Sequence, residues 1–156
     1  MLNEGGGHPG NDQDHAAIRR WIAPRDGVIS IRATLAHGQT NGDGVRGRIV
    51  SSQLGMLGQW KVFNKKEDTN LEQVNVRKGD TIDFMTDCLA NENSDAFTWS
   101  PTIQFVSANQ PAPGQQNEWN ASNDFVEAAR AKPPPLDVWQ KYAQVLLMSN
   151  ELVFVD

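Results

Sequence analysis

Short runs in which apolar and polar residues alternate recur between residues 18 and 105, and they limit the fold more than any other feature. Alternation with a period of two is typical of β-strands that bury one face. In the clearest run, Ile29 and Ile31 share one face of the strand. The parity slips between Leu71 and Val74, which predicts a bulge. Since turn residues and no helical pattern separate these runs, we predict a mainly β fold, an antiparallel β-sandwich or jelly roll.

A strand, a polar loop and a second strand are predicted for residues 79–105, in the manner of a hairpin. Ile82 and Phe84 lie on the apolar face of the first strand, and Ile103 lies on that of the second. Pro101 cannot donate a ladder hydrogen bond, so the second strand is predicted to be bulged or at an edge. The loop between them is rich in amides and carboxylates, and it is where we expect polar chemistry.

The predicted domain organisation has four parts. Residues 1–17 form a Gly-rich, flexible N-terminal arm, because such termini are poorly ordered unless they are tied down. Residues 18–106 form the β-sandwich module. A Pro/Gln linker, 107–121, leads to C-terminal helices in 122–156.

The C-terminal helices are predicted from caps and helical spacing. Ser122 is the expected N-cap of the first helix, which ends before a run of three prolines. In the second helix Trp139, Leu146 and Leu147 form an apolar stripe. A large exposed apolar patch invites self-association, so we expect this stripe to pack on the sandwich or to form a homo-oligomer.

Composition and charge exclude several classes of protein. The net charge is −5, and the basic residues cluster only at Arg19–Arg20 and Lys65–Lys66, which argues against nucleic-acid binding. Cys88 is the single cysteine, so an intrachain disulfide, a Cys-x-x-Cys-His haem motif and a cysteine zinc site are excluded. No apolar run approaches the roughly 18 residues of a membrane span. The first seven residues contain no apolar signal core and look like the cut end of a larger chain.

We predict that the chain is not an enzyme. It contains no Gly-x-Ser-x-Gly, no His-Glu-x-x-His and no Gly-rich phosphate loop that opens a helix. Cys88 is expected to be a small buried hydrophobe rather than a nucleophile. Asp80 and Asp83 are expected to be surface residues of the β-structure rather than an acid/base pair.

Calcium binding is one interpretation of the loop that follows the first strand of the predicted hairpin. Oxygen-bearing side chains in a flexible loop suit Ca²⁺, which takes about six to eight oxygen ligands. Alternatively, the loop is Asx-rich and hydrogen-bonds its own backbone. The candidate calcium ligands are Asp87, Asn91, Asn93 and Asp95.

Carbohydrate binding is suggested by the five tryptophans of a β-rich chain. Sugar rings stack on aromatic faces, and their hydroxyls hydrogen-bond to amide, carboxylate and guanidinium groups. The alternative is that the tryptophans fill the core, since Trp is highly buried on average. The candidate carbohydrate-binding residues are Arg46, Trp60, Asn91, Asn93, Asp95 and Trp99.

Several segments carry a resemblance to a known family. The chain resembles the β-sandwich module near the C-terminus of large planctomycete proteins that combine cytochrome-c-like and planctomycete-specific domains. The segments are His8-Pro9-Gly10, Ile18-Arg19-Arg20-Trp21, Ala23-Pro24-Arg25-Asp26-Gly27, Gly42-Asp43-Gly44-Val45, Gly79-Asp80-Thr81-Ile82-Asp83-Phe84, Asn91-Glu92-Asn93-Ser94-Asp95, Phe97-Thr98-Trp99 and residues 142–156.

The resemblance implies a galactose-binding-like fold, similar to that of carbohydrate-binding modules. It further implies a non-catalytic domain of an exported redox protein, periplasmic or at the cell surface, whose partners are a polysaccharide and the other domains of the parent chain. Haem would belong to those other domains, because this chain has no haem motif and no electron-transfer role can be assigned to it. The alternative function is a structural spacer without a ligand of its own.

Overall fold

The computed structural model describes residues 1–106 and 114–127, and within these ranges the fold is mainly β, with antiparallel strand pairs and no helix. No described segment could therefore cross a membrane as an apolar helix. The strands are β1 (Leu2–Asn3), β2 (Gly6–Gly7), β3 (Ala17–Ile22), β4 (Gly27–Arg32), β5 (Thr34–His37), β6 (Val45–Ser51), β7 (Gly55–Val62), β8 (Lys65–Asp68), β9 (Leu71–Val76), β10 (Thr81–Cys88), β11 (Phe97–Thr98), β12 (Thr102–Phe105), β13 (Glu118–Asn120) and β14 (Val126–Glu127).

The strands form two layers around one core. The first sheet has the order β14-β3-β10-β6-β7. Two further sheets have the orders β1-β2-β11-β5-β8 and β13-β12-β4-β9. They lie end to end because β5 continues β4, β9 continues β8 and β12 continues β11. We call these two sheets the second layer. A single apolar cluster contains residues of both layers, which gives the fold its sandwich-like character.

The predicted alternation of faces is confirmed. Ile29 and Ile31 of β4, Ile82 of β10 and Ile103 of β12 are all fully buried. The predicted bulge is also confirmed, since the register between β4 and β9 shifts opposite residue 30. At about 25 cal/mol per Å² of apolar surface, burial of these faces is the main stabilising contribution to the fold.

The predicted hairpin of residues 79–105 is wrong. β10 pairs with β3 on one side and with β6 on the other, so both of its edges are occupied within the first sheet. β11 and β12 belong to the second layer instead, where β12 pairs with β4 and β13. The loop 89–96 therefore crosses between layers. Pro101 lies in the gap between β11 and β12, so no strand has to accommodate it. β12 has a neighbour on each side and is therefore not an edge strand.

The first 17 residues, predicted to be a flexible arm, are bonded to the rest of the fold. β1 and β2 form a small hairpin, and β2 pairs with β11. The buried Arg19 guanidinium donates to the carbonyl of Glu4 at 3.0 Å, to that of Gly6 at 2.9 Å and to that of Ala121 at 3.2 Å. A buried guanidinium needs acceptors, and the N-terminal backbone supplies most of them.

The described parts of the predicted linker and first helix are extended. β13, within the predicted linker, pairs with β12. Ser122 lies in a turn rather than at a helix N-cap, and β14 pairs with the edge of β3. The predicted helices beyond residue 127, with their apolar stripe, lie outside the described residues, as do residues 107–113 of the linker.

Candidate functional site

A break in the second layer forms the first candidate site. Ala33 separates β4 from β5, and its carbonyl accepts the Thr69 backbone N–H at 2.8 Å. The Ala33 N–H donates to the side-chain oxygen of Asn70 at 2.9 Å, and the Trp99 indole donates to the Thr69 hydroxyl at 3.0 Å. Because these backbone and side-chain groups are satisfied across the break, we infer that its shape is well defined.

An open groove of about 540 Å³ lies at this break. Its volume falls in the range of about 300–1,000 Å³ that is usual for small-molecule sites. Within the groove, the Thr34 hydroxyl donates to Asp68 at 2.8 Å, and Arg32 forms an exposed ion pair with Glu72 just outside it. The polar lining residues are Arg32, Thr34, Asp68, Asn70, Thr98 and Ser100.

The predicted stacking tryptophans are not on an open platform. Trp99 is only 3% exposed and packs edge-on against Phe84 with ring centroids 5.5 Å apart, so the core alternative describes it. Trp60 is partly buried against the core, opposite Gly47 on the neighbouring strand. Its ring also covers Gly58, where an added Cβ would lie 2.2 Å from the ring. Neither tryptophan lines the polar groove with an exposed face.

Asp87 does not lie with the other predicted calcium ligands. It is fully buried on the outer side of β10, where its Oδ1 accepts from Arg46 at 2.9 Å and its Oδ2 from Arg48 at 2.5 Å. Arg46 also donates to the Gln13 side chain at 3.0 Å. Both carboxylate oxygens of Asp87 are therefore occupied, and Arg46, a predicted sugar ligand, is held in a partly buried ion pair.

Asn91 and Asn93 form an Asx turn. The Asn91 side-chain oxygen accepts the backbone N–H of Asn93 at 3.0 Å, as the alternative interpretation of this loop expects. The backbone carbonyl of Asn93 closely approaches Gly42, where an added Cβ would lie 2.1 Å from that oxygen. Only glycine fits there, and its φ of 87° is also one that other residues rarely adopt. The loops 38–44 and 89–96 are thereby packed together.

Asp95 is fully buried between these two loops, and neither of its oxygens has a hydrogen-bond partner. The nearby His37 has both ring nitrogens engaged. Its Nδ1 accepts the Asn64 N–H at 3.2 Å, so Nε2 carries the proton and donates to the Ser94 carbonyl at 2.8 Å. His37 is therefore neutral, and its Nε2 is 4.0 Å from Asp95 Oδ1.

Asp43 lies close enough to affect Asp95. Its Oδ2 accepts the Ala90 N–H at 2.6 Å, whereas its Oδ1 is buried without a partner. Burial, and then the negative charge of Asp43, raise the pKa of Asp95 to about 6. Burial, followed by the charge of Asp95, likewise raises the pKa of the adjacent Cys88 thiol, which is only 1% exposed. Cys88 is thus a neutral, buried thiol, as predicted.

The Asp95 carboxyl predicts a pH dependence of stability in metal-free buffer. Its pKa rises from an ordinary 3.8 to about 6 on folding, so between these values the folded chain binds a proton that the unfolded chain has released. That stabilising contribution is complete below pH 3.8 and is lost as the pH rises through about 6. We expect it to be about 3 kcal/mol.

Urea unfolding between pH 4 and pH 7 measures this effect as the difference between the wild type and Asp95→Asn. The amide cannot ionise, so the variant lacks this proton linkage. The wild type should lose stability relative to the variant as the pH rises. Parallel curves for the two proteins would contradict the prediction.

One further observation concerns metal ligands, and another concerns similarity to known proteins. Among residues 1–106 and 114–127, no group of three or more His, Cys, Asp or Glu side chains is arranged to hold a metal ion. No family model, curated protein or solved structure significantly matches this chain.

Proposed function

We propose that this chain is a non-catalytic carbohydrate-binding module of a larger exported planctomycete redox protein, with a galactose-binding-like jelly-roll fold. The observation that supports this proposal is the open polar groove at the break in the second layer. The kind of parent protein and its exported location are proposed from the resemblance of the sequence segments to the planctomycete family.

The chemistry of the groove suits sugar hydroxyls. Each hydroxyl both donates and accepts, and the lining offers a donor in Arg32, an acceptor in Asp68 and a group of both kinds in Thr98. The groove is open rather than enclosed, so an extended polysaccharide can pass along it. The hydrogen bonds across the break favour a preformed site, which reduces the ordering cost of binding.

The Arg32 guanidinium remains available to a ligand in the groove. The side chain of Arg32 is 59% exposed and that of Glu72 is 54% exposed, so their ion pair is weak and readily exchanged. Because Trp99 offers no stacking face, recognition in this groove depends on hydrogen bonds. Affinity should therefore be lower than in a module with an aromatic platform.

A glycan array followed by calorimetric titration of the best ligand tests this proposal. We expect the double variant Arg32→Ala, Asp68→Ala to bind that ligand at least about 10-fold more weakly, since a hydrogen bond to a charged group is worth about 1.5–3 kcal/mol. The matched control is Gln59→Ala, Lys61→Ala on the first sheet, which should bind as the wild type does. Equal affinity of the groove variant and the wild type would exclude this groove.

A structural spacer that packs against other domains of the parent chain is the second candidate function. The burial of Trp99 favours it, because the ring fills the core instead of contacting a ligand. This function predicts no binding to any glycan on the array and no calorimetric signal with polysaccharides.

Oligomerisation through the C-terminal segment is an additional proposal, and sedimentation of the full chain measures it.

A further inference from the structure

Unpaired buried oxygens are concentrated at one place in the fold. In the described part of the chain, four buried side-chain nitrogen or oxygen atoms have no hydrogen-bond partner. Three of the four are carboxylate oxygens: Oδ1 of Asp43 and both oxygens of Asp95. They belong to loops 38–44 and 89–96, which are packed together at Gly42. Asp95 Oδ1 lies 3.6 Å from where a Cβ of Gly42 would be.

Such carboxylates require a neutralising partner, because an unpaired buried charge is strongly destabilising. Among the described residues, no ion pair joins an Arg or Lys to Asp43 or Asp95. The neighbouring His37 is neutral, with both nitrogens engaged. For the part of the chain that the structure describes, what remains is a bound cation or a proton.

The available donors indicate the class of cation. Asp95 offers two free oxygens and Asp43 offers one, while the Asn93 carbonyl lies against the same glycine. The described residues contain no group of three or more His, Cys, Asp or Glu side chains arranged to hold a metal ion, which disfavours zinc, since zinc sites in proteins use three or four such ligands. Oxygen-only donors from two loops, with one bidentate carboxylate, suit calcium.

We propose that loops 38–44 and 89–96 bind a calcium ion between the carboxylates of Asp43 and Asp95. Relative to the ligand set predicted from sequence, this site keeps Asp95, replaces the Asn93 side chain by its backbone, and excludes Asp87, whose oxygens are bonded to arginines. The ion joins the two loops. It is independent of the carbohydrate groove, which lies at the break in the second layer.

The competing explanation is a proton shared by the two carboxyl groups. In this explanation a protonated Asp95 donates to Asp43 Oδ1, which would satisfy two of the three unpaired oxygens without an ion. In that case Asp95→Asn, whose amide mimics the neutral acid, should be at least as stable as the wild type in every buffer. Calcium should then have no effect on either protein.

Thermal unfolding of the full chain in 5 mM calcium and in EDTA distinguishes the two. We expect calcium to raise the wild-type Tm by about 5 °C or more once its concentration reaches about 100 times Kd. Isothermal titration with calcium should give one site per chain. Asp43→Asn and Asp95→Asn should lose both responses, whereas Glu92→Gln, an exposed acid in the same loop, should keep them.

The wild-type measurements alone can overturn the proposal, so it does not depend on the variants folding. Equal wild-type Tm values in calcium and in EDTA, with no heat of binding in the titration, would exclude the site. A response that persists in Asp43→Asn and Asp95→Asn would place the ion elsewhere. If the wild type responds to calcium as expected but binds no glycan, only the carbohydrate function is refuted.

Discussion

Ile31→Asp is expected to abolish the folded state. Ile31 is fully buried at the centre of the second layer, paired with Ile103 on one side and with Leu71 on the other. An aspartate there would bury an unpaired charge and lose the apolar contacts of the isoleucine, at a cost of about 5 kcal/mol or more. Since whole domains are stable by only about 5–15 kcal/mol, the variant should show no cooperative thermal transition.

The matched control is Ile22→Asp. Ile22 is 51% exposed, so an aspartate at this position keeps its hydration. The Tm of this variant should lie within about 3 °C of the wild type, in keeping with the small effect of most surface substitutions. Near-ultraviolet circular dichroism reports on tertiary packing in both variants. A soluble Ile31→Asp protein with the wild-type Tm would refute the assignment of the core.

Asp87→Ala should produce the second-largest loss of stability, about 3–5 kcal/mol. The carboxylate is fully buried and bonds to both Arg46 and Arg48, whose side chains are only 20% and 21% exposed. Its removal leaves two poorly hydrated positive charges next to each other. Chemical denaturation measures the loss, and the Tm should fall by about 6–20 °C.

Two further variants separate the effect of charge from that of packing. Asp83→Ala removes the partner of Arg20, whose side chain is 38% exposed and can be hydrated, so the loss should be only about 1 kcal/mol. Replacing all three charges, as in Arg46→Leu, Arg48→Leu, Asp87→Leu, should recover much of the stability, because no unpaired charge remains. Equal losses for Asp83→Ala and Asp87→Ala would contradict the importance of burial.

The faces of the strands could be predicted from sequence because side chains alternate with a period of two wherever one face is buried. That rule placed Ile29, Ile31 and Phe84 in the core and Asp87 on the opposite face from Phe84. The bulge near residue 73 was also visible, since a slip in parity is a local property.

Strand pairing could not be predicted in the same way. Residues 79–105 have the local pattern of a hairpin, yet β10 pairs with β3 and β6, strands distant in sequence. Pairing minimises the free energy of the whole sheet, and β10 carries Asp83 and Asp87 opposite arginines on both neighbours. In β14, too, a long-range pairing replaces the structure predicted from local sequence. A helix was predicted there, but the backbone pairs with the edge of β3 instead.

The candidate sites show the same division. Asp95 and the loop around it were identifiable because amides and carboxylates accumulate there in sequence. Asp43 was missed as a ligand, although its position between Gly42 and Gly44 marks a tight turn that lets another backbone approach. The groove residues Arg32, Asp68 and Thr98 carry no local signal, since they come from three separate segments.

The sequence by itself determined the mainly β character of residues 18–105, the faces that are buried and the position of the polar loop, because these depend on local periodicity and composition. Tertiary structure decided which strands pair, that Arg19 anchors the N-terminal residues, that the loops of Asp43 and Asp95 pack together at Gly42, and that Asp87 bonds to two arginines. These outcomes depend on long-range competition for hydrogen-bond partners and for opposite charge, which no local pattern contains.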